Sequence, residues 1–249
     1  MPNITIWNEF LHEQEDSDCG RECRKHYPDG IHRHLKAALA PEFAGWNISA
    51  AALGEPQNGL PESVLNSTDV MVWWGHMAHH RVPDELVDKV HARVLAGMGL
   101  VVLHSGHFSK IFKRVCGTSC ALKWREIGEK ERVWVADPFH PIAKGIPETF
   151  VVEQTEMYGE PFGLPADAHP VFMSWYQGGN VFRSGVTLQR DAGKIFYFSP
   201  GHETLPIYHN ETVLKVIANG IRWANPEGGV GTGLTAPCEG TPQEPVPRV

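Results

Sequence analysis

Histidine and carboxylate side chains follow five stretches of this sequence that have the apolar composition of β-strands. His104 and His107 follow one such stretch, and His202 and Glu203 follow a later one. The other strand ends carry Asn8, Glu9, His12, His76, His79 and Glu156. Imidazole titrates near neutral pH and binds metal ions, and carboxylates exchange protons with it. The pattern predicts a site for acid–base or metal-assisted chemistry.

Two of these side chains are predicted to exchange protons with a substrate. Glu156 lies among apolar and aromatic residues, which can raise the pKa of a carboxyl group, and the imidazole of His202 has an ordinary pKa near neutrality. A salt-bridged position at the rim of the site is an equally open interpretation of Glu156. The chain contains 14 histidines, so most of them are expected to be surface or structural residues.

Metal binding is the alternative use of the histidines. His76 and His79 are three residues apart, a spacing that places both on one side of a helical turn. With His202 they would form a three-ligand site with an open fourth position, for which zinc is the best candidate. Glu156 is an alternative third ligand. Pairs with this spacing also occur by chance, so chemistry without a metal stays open; no nucleotide cofactor is predicted.

Serine and cysteine chemistry are weaker interpretations. Ser105 lies at a tight turn after a strand, but the Gly-x-Ser-x-Gly motif of serine hydrolases is missing, so a helix cap is the better prediction for it. The chain has five cysteines, an odd number that argues against a disulfide framework. Cys19/Cys23 and Cys116/Cys120 lack the usual zinc-knuckle spacing and are predicted to be free thiols.

Short apolar runs alternate with helical patterns and would position these residues. Strands are predicted at residues 4–7, 46–53, 70–74 and 100–103, and helices at residues 31–39 and from Pro83 to about residue 96. Repeated strand–helix–strand order predicts a parallel sheet covered by helices on both faces. Ligands bind outside the carboxyl ends of the strands of such a sheet. The histidines and carboxylates named above lie at those ends.

The second half of the chain departs from this order. Residues 122–152 contain short amphipathic strands broken by prolines, and residues 181–198 form a predicted hairpin followed by a closing helix. We predict a single α/β domain over residues 1–224, with an antiparallel insertion over about residues 116–190. Residues 225–249 are rich in glycine and proline and are predicted to be an extended or disordered tail.

Composition excludes several classes of protein. The 249 residues are 42% hydrophobic and 20% charged, with a formal net charge of −7, which argues against a nucleic-acid partner. No apolar stretch reaches the roughly 18 residues of a membrane span, so no membrane partner is predicted. The N-terminus has no signal-peptide pattern, which favours the cytoplasm. The tail and the eight tryptophans favour a homo-oligomer.

Several of these segments together resemble the ThuA-like family, which is named for trehalose utilisation. The motif His104-Ser105-Gly106-His107 and the motif Gly201-His202-Glu203 carry much of the resemblance. The other matching segments are residues 7–10, 12–13, 27–32, 73–76 with His79, 108–110, 117–120, 140–146 and 156–162. Together they cover the chain from Met1 to about Ala224, and the tail lies outside the resemblance.

The resemblance implies a flavodoxin-like three-layer sandwich with a mainly parallel sheet, related to class I glutamine amidotransferases. Those enzymes carry a nucleophilic cysteine at the turn after the fourth strand, and His104 occupies that place here. Imidazole cannot form the thioester of the amidotransferase reaction. The resemblance therefore implies a shared fold and pocket without glutamine hydrolysis.

The resemblance also implies carbohydrate catabolism, with a disaccharide or a keto-sugar derivative as substrate. We expect His104, Glu156 and His202 to be catalytic, with His104 or a metal stabilising an enolate. The expected substrate-binding residues are Asn8, Glu9, His12, His32, Trp74, His107, Tyr158 and Glu203. A non-catalytic sugar-binding or regulatory module is the alternative function.

Overall fold

The computed structural model of the chain describes residues 1–241. The strands are β1 (Asn3–Asn8), β2 (Asn47–Ala52), β3 (Val70–Trp74), β4 (Gly99–Leu103), β5 (Lys123–Val135), β6 (Thr149–Gly159), β7 (His169–Tyr176), β8 (Val181–Arg190) and β9 (Gly193–Phe198). The helices are α1 (Asp18–His26), α2 (Ile31–Leu39), α3 (Glu62–Ser67), α4 (Asp84–Leu95), α5 (Lys110–Cys116) and α6 (Glu211–Ala224). The prediction of an α/β fold is confirmed.

Within the described residues, nine strands form one mixed sheet in the order β2-β1-β3-β4-β9-β8-β7-β5-β6. The strands from β2 to β9 in this order run parallel. The strands from β9 to β6 run antiparallel. Half of the strand pairings are therefore antiparallel, so the sheet is less parallel than predicted, although the antiparallel strands lie where the insertion is expected.

Helices cover both faces of the parallel half of the sheet. Every residue of β3 and β4 is buried, as expected for strands between two helical layers. Val70 and Val72 pack with α2 and α6 in one core, whereas Met71 and Trp73 pack with α4 and α5 in the other. The alternation of side chains along each strand divides the apolar residues between the two cores.

The structure corrects two details of the predicted elements. Residues 18–26 form α1, which the sequence pattern missed because among its residues only Gly20 and Cys23 are buried. The strand β5 is one long strand with bulges between Arg125 and Glu131, whereas two short strands were predicted. Bulges shift the pairing partner and interrupt the alternation on which a strand prediction depends.

The C-terminal region is described only in part. Helix α6 ends at Ala224, and residues 225–241 contain no helix or strand. The backbone N–H of Gly231 donates to the carbonyl of Ala96, which holds this segment against the end of α4. Residues 242–249 of the predicted tail lie outside the described residues. Among residues 1–241, no helix is both long and apolar enough to cross a membrane.

Candidate functional site

A cavity of about 420 Å³ opens at the carboxyl ends of β3 and β4. Its wall consists of histidine, carboxylate and aromatic side chains together with a few small residues. These are His76, His79, Ser105, His107, Phe108, Ala121, Leu122, Trp124, Glu126, Glu156 and Tyr158. Both the volume and the position are typical of small-molecule sites in parallel α/β sheets.

His104 occupies the turn directly after β4 and is buried. Its backbone φ of 49° lies in the left-handed region, which non-glycine residues rarely adopt and which is often found at functional turns. Its Nδ1–H donates a hydrogen bond to the carbonyl oxygen of Ser199, with 3.0 Å between the two atoms. Gly201 packs against it, because a Cβ there would lie 3.0 Å from the His104 Cβ and overlap the hydroxyl of Tyr208. The loop after β9 therefore fixes the ring.

His104 and Glu156 form a buried pair. Nε2 of His104 lies 3.2 Å from Oε2 of Glu156, and the ring stacks on Tyr158 with 5.0 Å between centroids. Burial opposes the charge of His104, but the Glu156 carboxylate raises its pKa above the usual value. Burial likewise opposes ionisation of Glu156, but the hydrogen bond and charge of His104 lower its pKa. We infer a close histidine–carboxylate pair in which Glu156 is ionised at neutral pH, because its pKa lies below the usual value.

His202 is buried beside the cavity wall, next to Glu126. Its Nδ1 accepts the backbone N–H of Thr204 at 3.1 Å, which leaves the proton of the neutral ring on Nε2. Burial lowers the pKa of His202 to about 4, so the ring is neutral at physiological pH. Its Nε2 lies 3.4 Å from Oε1 of Glu126. His202 is therefore a hydrogen-bond donor at neutral pH, and not a strong base.

His12, His76 and Glu203 form a second group beside this pair. Nε2 of His12 lies 3.9 Å from one oxygen of Glu203, and Nε2 of His76 lies 4.0 Å from the other. Burial opposes ionisation of Glu203, but the surrounding histidines, His202 foremost, lower its pKa to about 2. Burial lowers the pKa of His76. The ring of His76 lies 6.3 Å from that of His104, centroid to centroid, so the two groups are adjacent.

His107 and Ser105 line the same cavity. Nδ1 of His107 donates to the carbonyl of Cys120 at 2.8 Å, and burial lowers the pKa of the ring to about 3. Its Nε2 is therefore a hydrogen-bond acceptor at neutral pH. The hydroxyl of Ser105 has no partner among the described residues, so no base is in place to make it a nucleophile.

Four expected substrate-binding residues are buried behind the cavity wall. The Asn8 amide donates to Glu13 at 2.9 Å and lies 3.2 Å from Nδ1 of His32. Glu9 accepts the backbone N–H groups of His76 and Met77, both at 2.9 Å, and so fixes the loop that carries His76. The side chains of His32 and Trp74 have at most 1% of their surface exposed. The structure brings none of these four into the cavity.

The structure does not unite the predicted metal ligands His76, His79 and His202. Three groups of possible ligands lie within 4.8 Å of one another in residues 1–241, and His79 belongs to none of them. These groups are His12, His76 and Glu203; His76, His104 and Glu156; and His104, His202 and Glu203. His79 instead lines the cavity wall, where burial lowers its pKa to about 4. The prediction assumed the spacing of a helical turn, but residues 75–78 are not helical and the turn begins only at His79.

The sequence analysis missed Glu126 and Trp124, which line the cavity from β5. Trp124 is directly opposite Tyr158 on β6, the strand that carries Glu156. Leu122, Trp124 and Glu126 alternate along the chain, as expected for one face of a strand. That alternation is the signal that could have identified them. Burial and the nearby Glu156 raise the pKa of Glu126.

The fold and the site together define an α/β protein with a histidine- and carboxylate-lined cavity at the carboxyl ends of its parallel strands. A family model described as ThuA, trehalose utilisation, matches residues 3–224. The chain therefore belongs to the ThuA family, as its motifs indicated. None of the curated proteins compared with it matches the sequence.

Solved structures show the same fold. A ThuA-like protein from Parabacteroides merdae has a TM-score of 0.66 and 15% identity, with 92% of each chain covered. A ThuA-like protein from Bacteroides uniformis has a TM-score of 0.64 and 14% identity, with 93% of this chain and 95% of that chain covered. A cytoplasmic protein from Salmonella typhimurium has a TM-score of 0.60 and 15% identity, with 90% and 99% covered. At these identities the likeness concerns the fold alone.

Proposed function

We propose that the protein is an enzyme of carbohydrate catabolism that cleaves a keto-sugar derivative by acid–base chemistry. The observation that carries the proposal is the His104–Glu156 pair, in which Nε2 of His104 lies 3.2 Å from a carboxylate oxygen of Glu156, a residue of the cavity wall. Clusters of titratable groups with displaced pKa values are typical of catalytic sites. A sugar-binding module would need aromatic and hydrogen-bonding groups but no such pair.

The proposed reaction begins with removal of an acidic proton. Glu156 takes the proton from the carbon next to the keto group, and the C–H electrons form an enolate whose oxygen accepts a hydrogen bond from His104. The enolate then re-forms the ketone while a C=C bond forms to the neighbouring carbon and the bond from that carbon to the glycosidic oxygen breaks. The departing oxygen takes up the proton that Glu156 removed, which restores the carboxylate, and the Nε2–H of the neutral His202 ring donates a hydrogen bond to that oxygen. The elimination causes no net oxidation or reduction of the substrate, so it needs no oxidant.

Aromatic side chains at the cavity mouth support a carbohydrate substrate. Trp124 and Phe108 line the cavity and remain 66% and 46% exposed. Exposed aromatic faces offer apolar surface to the C–H groups of a sugar ring. By contrast, Trp7 and Trp73 stack on each other in the core with 3.9 Å between ring centroids. The sugar platform is therefore proposed to be Trp124 and Phe108.

The substrate class can be tested directly. The protein is incubated with a 3-keto glycoside and, separately, with the same glycoside in its unoxidised form, and release of the aglycone is followed. We expect release from the keto glycoside alone, because only a carbonyl group acidifies the neighbouring C–H bond. Equal release from both compounds would contradict the elimination. Saturable binding of both compounds with release from neither would favour a sugar-binding module.

Trp124→Ala is expected to lower kcat/KM for a keto disaccharide roughly 10-fold, because loss of an aromatic contact removes about 1–1.5 kcal/mol of binding. Trp134→Ala is the matched control, since Trp134 is a partly exposed tryptophan of the same strand that does not line the cavity. Steady-state kinetics of both variants and wild type measure the difference. Equal losses in the two variants would argue against stacking on Trp124.

Other features of the protein follow as proposals. The five parallel strands, numbered along the chain as β1, β2, β3, β4 and β9, lie in the order 2-1-3-4-5, which supports a flavodoxin-like parent fold. The five cysteines are free, which supports a location in the cytoplasm. The exposed Trp134 and Trp175 support a homo-oligomer.

A further inference from the structure

Glu203 is a buried carboxylate whose surroundings are incomplete. Its side chain is 6% exposed, and its Oε2 accepts no hydrogen bond from any described residue. Burying a carboxylate is costly unless a positive charge or several hydrogen-bond donors compensate it. Within residues 1–241, histidines are the only side chains that form an ion-pair contact with it. A bound cation would supply the missing partner.

The rings of His12 and His76 are also unengaged. Neither ring makes a hydrogen bond with a described residue, and the Nδ1 atoms of both are buried without partners. Their nitrogen lone pairs are therefore free to bind a metal ion. One ligand atom from each of the three residues lies within 4.8 Å of the other two, and the Nε2 atoms of His12 and His76 lie 3.9 and 4.0 Å from the two different oxygens of Glu203. Atoms bound to one tetrahedral zinc ion at about 2.1 Å lie about 3.4 Å apart, so the three side chains would close by roughly 1 Å when the metal binds.

In the other two groups of possible metal ligands, both of which contain His104, ring nitrogens already have partners. Nδ1 of His104 is hydrogen-bonded to the carbonyl of Ser199, and its Nε2 lies 3.2 Å from Oε2 of Glu156 and 3.4 Å from the hydroxyl of Tyr158. His202 uses Nδ1 to accept the N–H of Thr204, so its Nε2 carries a proton and cannot bind a metal. His12, His76 and Glu203 are thus the group with free ligand atoms.

We propose that His12, His76 and Glu203 hold one divalent cation, with zinc the best match to two imidazoles and one carboxylate. The three ligands come from the loops after β1, β3 and β9, and the two backbone bonds accepted by Glu9 hold the His76 loop in place. Three protein ligands leave a position open for a substrate oxygen or water. A cation there would polarise a carbonyl oxygen bound beside His104. The site does not depend on the proposed reaction.

Metal content tests the proposal. Untagged protein is incubated with zinc at neutral pH, dialysed, and analysed by elemental mass spectrometry. We expect about one zinc ion per chain in wild type. His76→Ala and Glu203→Gln should each weaken binding roughly 100-fold or more, which exceeds the usual effect of residues that only support a ligand. His202→Ala and the distant His169→Ala should retain the metal.

A second measurement, the Tm of the wild-type protein with and without zinc, does not require a substitution. Zinc in excess should raise the Tm of wild-type protein, because a ligand that binds only the folded state stabilises it, and the shift should disappear with Glu203→Gln. Wild type that binds neither zinc, cobalt nor manganese and shows no Tm shift would overturn the proposal. Retention of zinc by His76→Ala together with its loss in His202→Ala would also overturn it, in favour of the group containing His104.

Discussion

Glu156→Gln is expected to lower kcat for a 3-keto glycoside by about 1,000-fold, with KM within about threefold of wild type. Glutamine preserves the shape of the side chain and can accept a hydrogen bond from His104, but it cannot take a proton from carbon. Glu156 is ionised and so able to accept a proton at neutral pH, because the hydrogen bond and charge of His104 lower its pKa despite burial. The effect falls on kcat because proton transfer is required only in the transition state.

Glu153→Gln is the matched control for this variant. Glu153 lies on the same strand, three residues earlier, but its side chain is 77% exposed and contacts Lys130. We expect its kinetics to equal those of wild type. Binding of the keto glycoside to Glu156→Gln, measured by calorimetry, shows whether the cavity is intact. Full activity of Glu156→Gln would show that Glu156 is not the base. Loss of both binding and activity would show that Glu156 has a structural role.

Glu131→Gln is expected to stabilise the folded protein by about 3 kcal/mol at about pH 8 and to change stability little at about pH 4. Glu131 is completely buried on β5, where Ser174 and Tyr176 donate to the same oxygen at 2.5 and 3.2 Å. Its second oxygen has no partner among the described residues. Burial raises the pKa of this carboxyl group to about 7, although the two hydroxyl donors oppose the shift.

The direction of the pH dependence follows from this raised pKa. Below the usual pKa of 4.5, Glu131 is protonated in both the folded and the unfolded chain and favours neither. Between pH 4.5 and about 7 the unfolded chain releases the proton while the folded chain keeps it, so the free energy of unfolding decreases as pH rises. Above pH 7 the folded state carries a buried charge. Glutamine is neutral at every pH in this range, so Glu131→Gln removes the decrease in the free energy of unfolding.

Urea denaturation of wild type and Glu131→Gln across this pH range measures the effect. The exposed Glu148→Gln is the control and should leave the wild-type profile unchanged. Parallel profiles for wild type and Glu131→Gln would show that Glu131 does not carry the raised pKa. Activity should be unaffected in either variant if the cavity geometry is preserved.

Some of the side chains proposed to be catalytic could be predicted from the sequence because they lie next to local patterns. His104 follows β4 directly, and His202 follows β9 within a few residues. Apolar runs identify strands, and the carboxyl ends of parallel strands meet at one edge of a sheet. The convergence of His104 and His202 at that edge therefore followed once the fold class was known.

Other parts of the site depend on contacts between distant segments. Glu156 lies inside β6, an antiparallel strand at the opposite edge of the sheet order, and not at a strand end as predicted. Trp124 reaches the cavity because β5 pairs with that part of β6. The bulges that set this pairing leave no simple period in the sequence.

The sequence by itself determined the α/β class, the edge of the sheet where the site lies, and the family to which the chain belongs. The tertiary structure alone decided which strand-end residues face the cavity. Glu9 follows β1 as His76 follows β3, yet Glu9 lies behind the wall because its carboxylate accepts the backbone N–H groups of His76 and Met77, whereas His76 lines the cavity. It also decided the directions of the pKa shifts, because the hydrogen bond and charge of His104 outweigh burial and lower the pKa of Glu156, whereas burial raises that of Glu131. Residue type and spacing report local geometry, whereas burial and charge are properties of the folded chain.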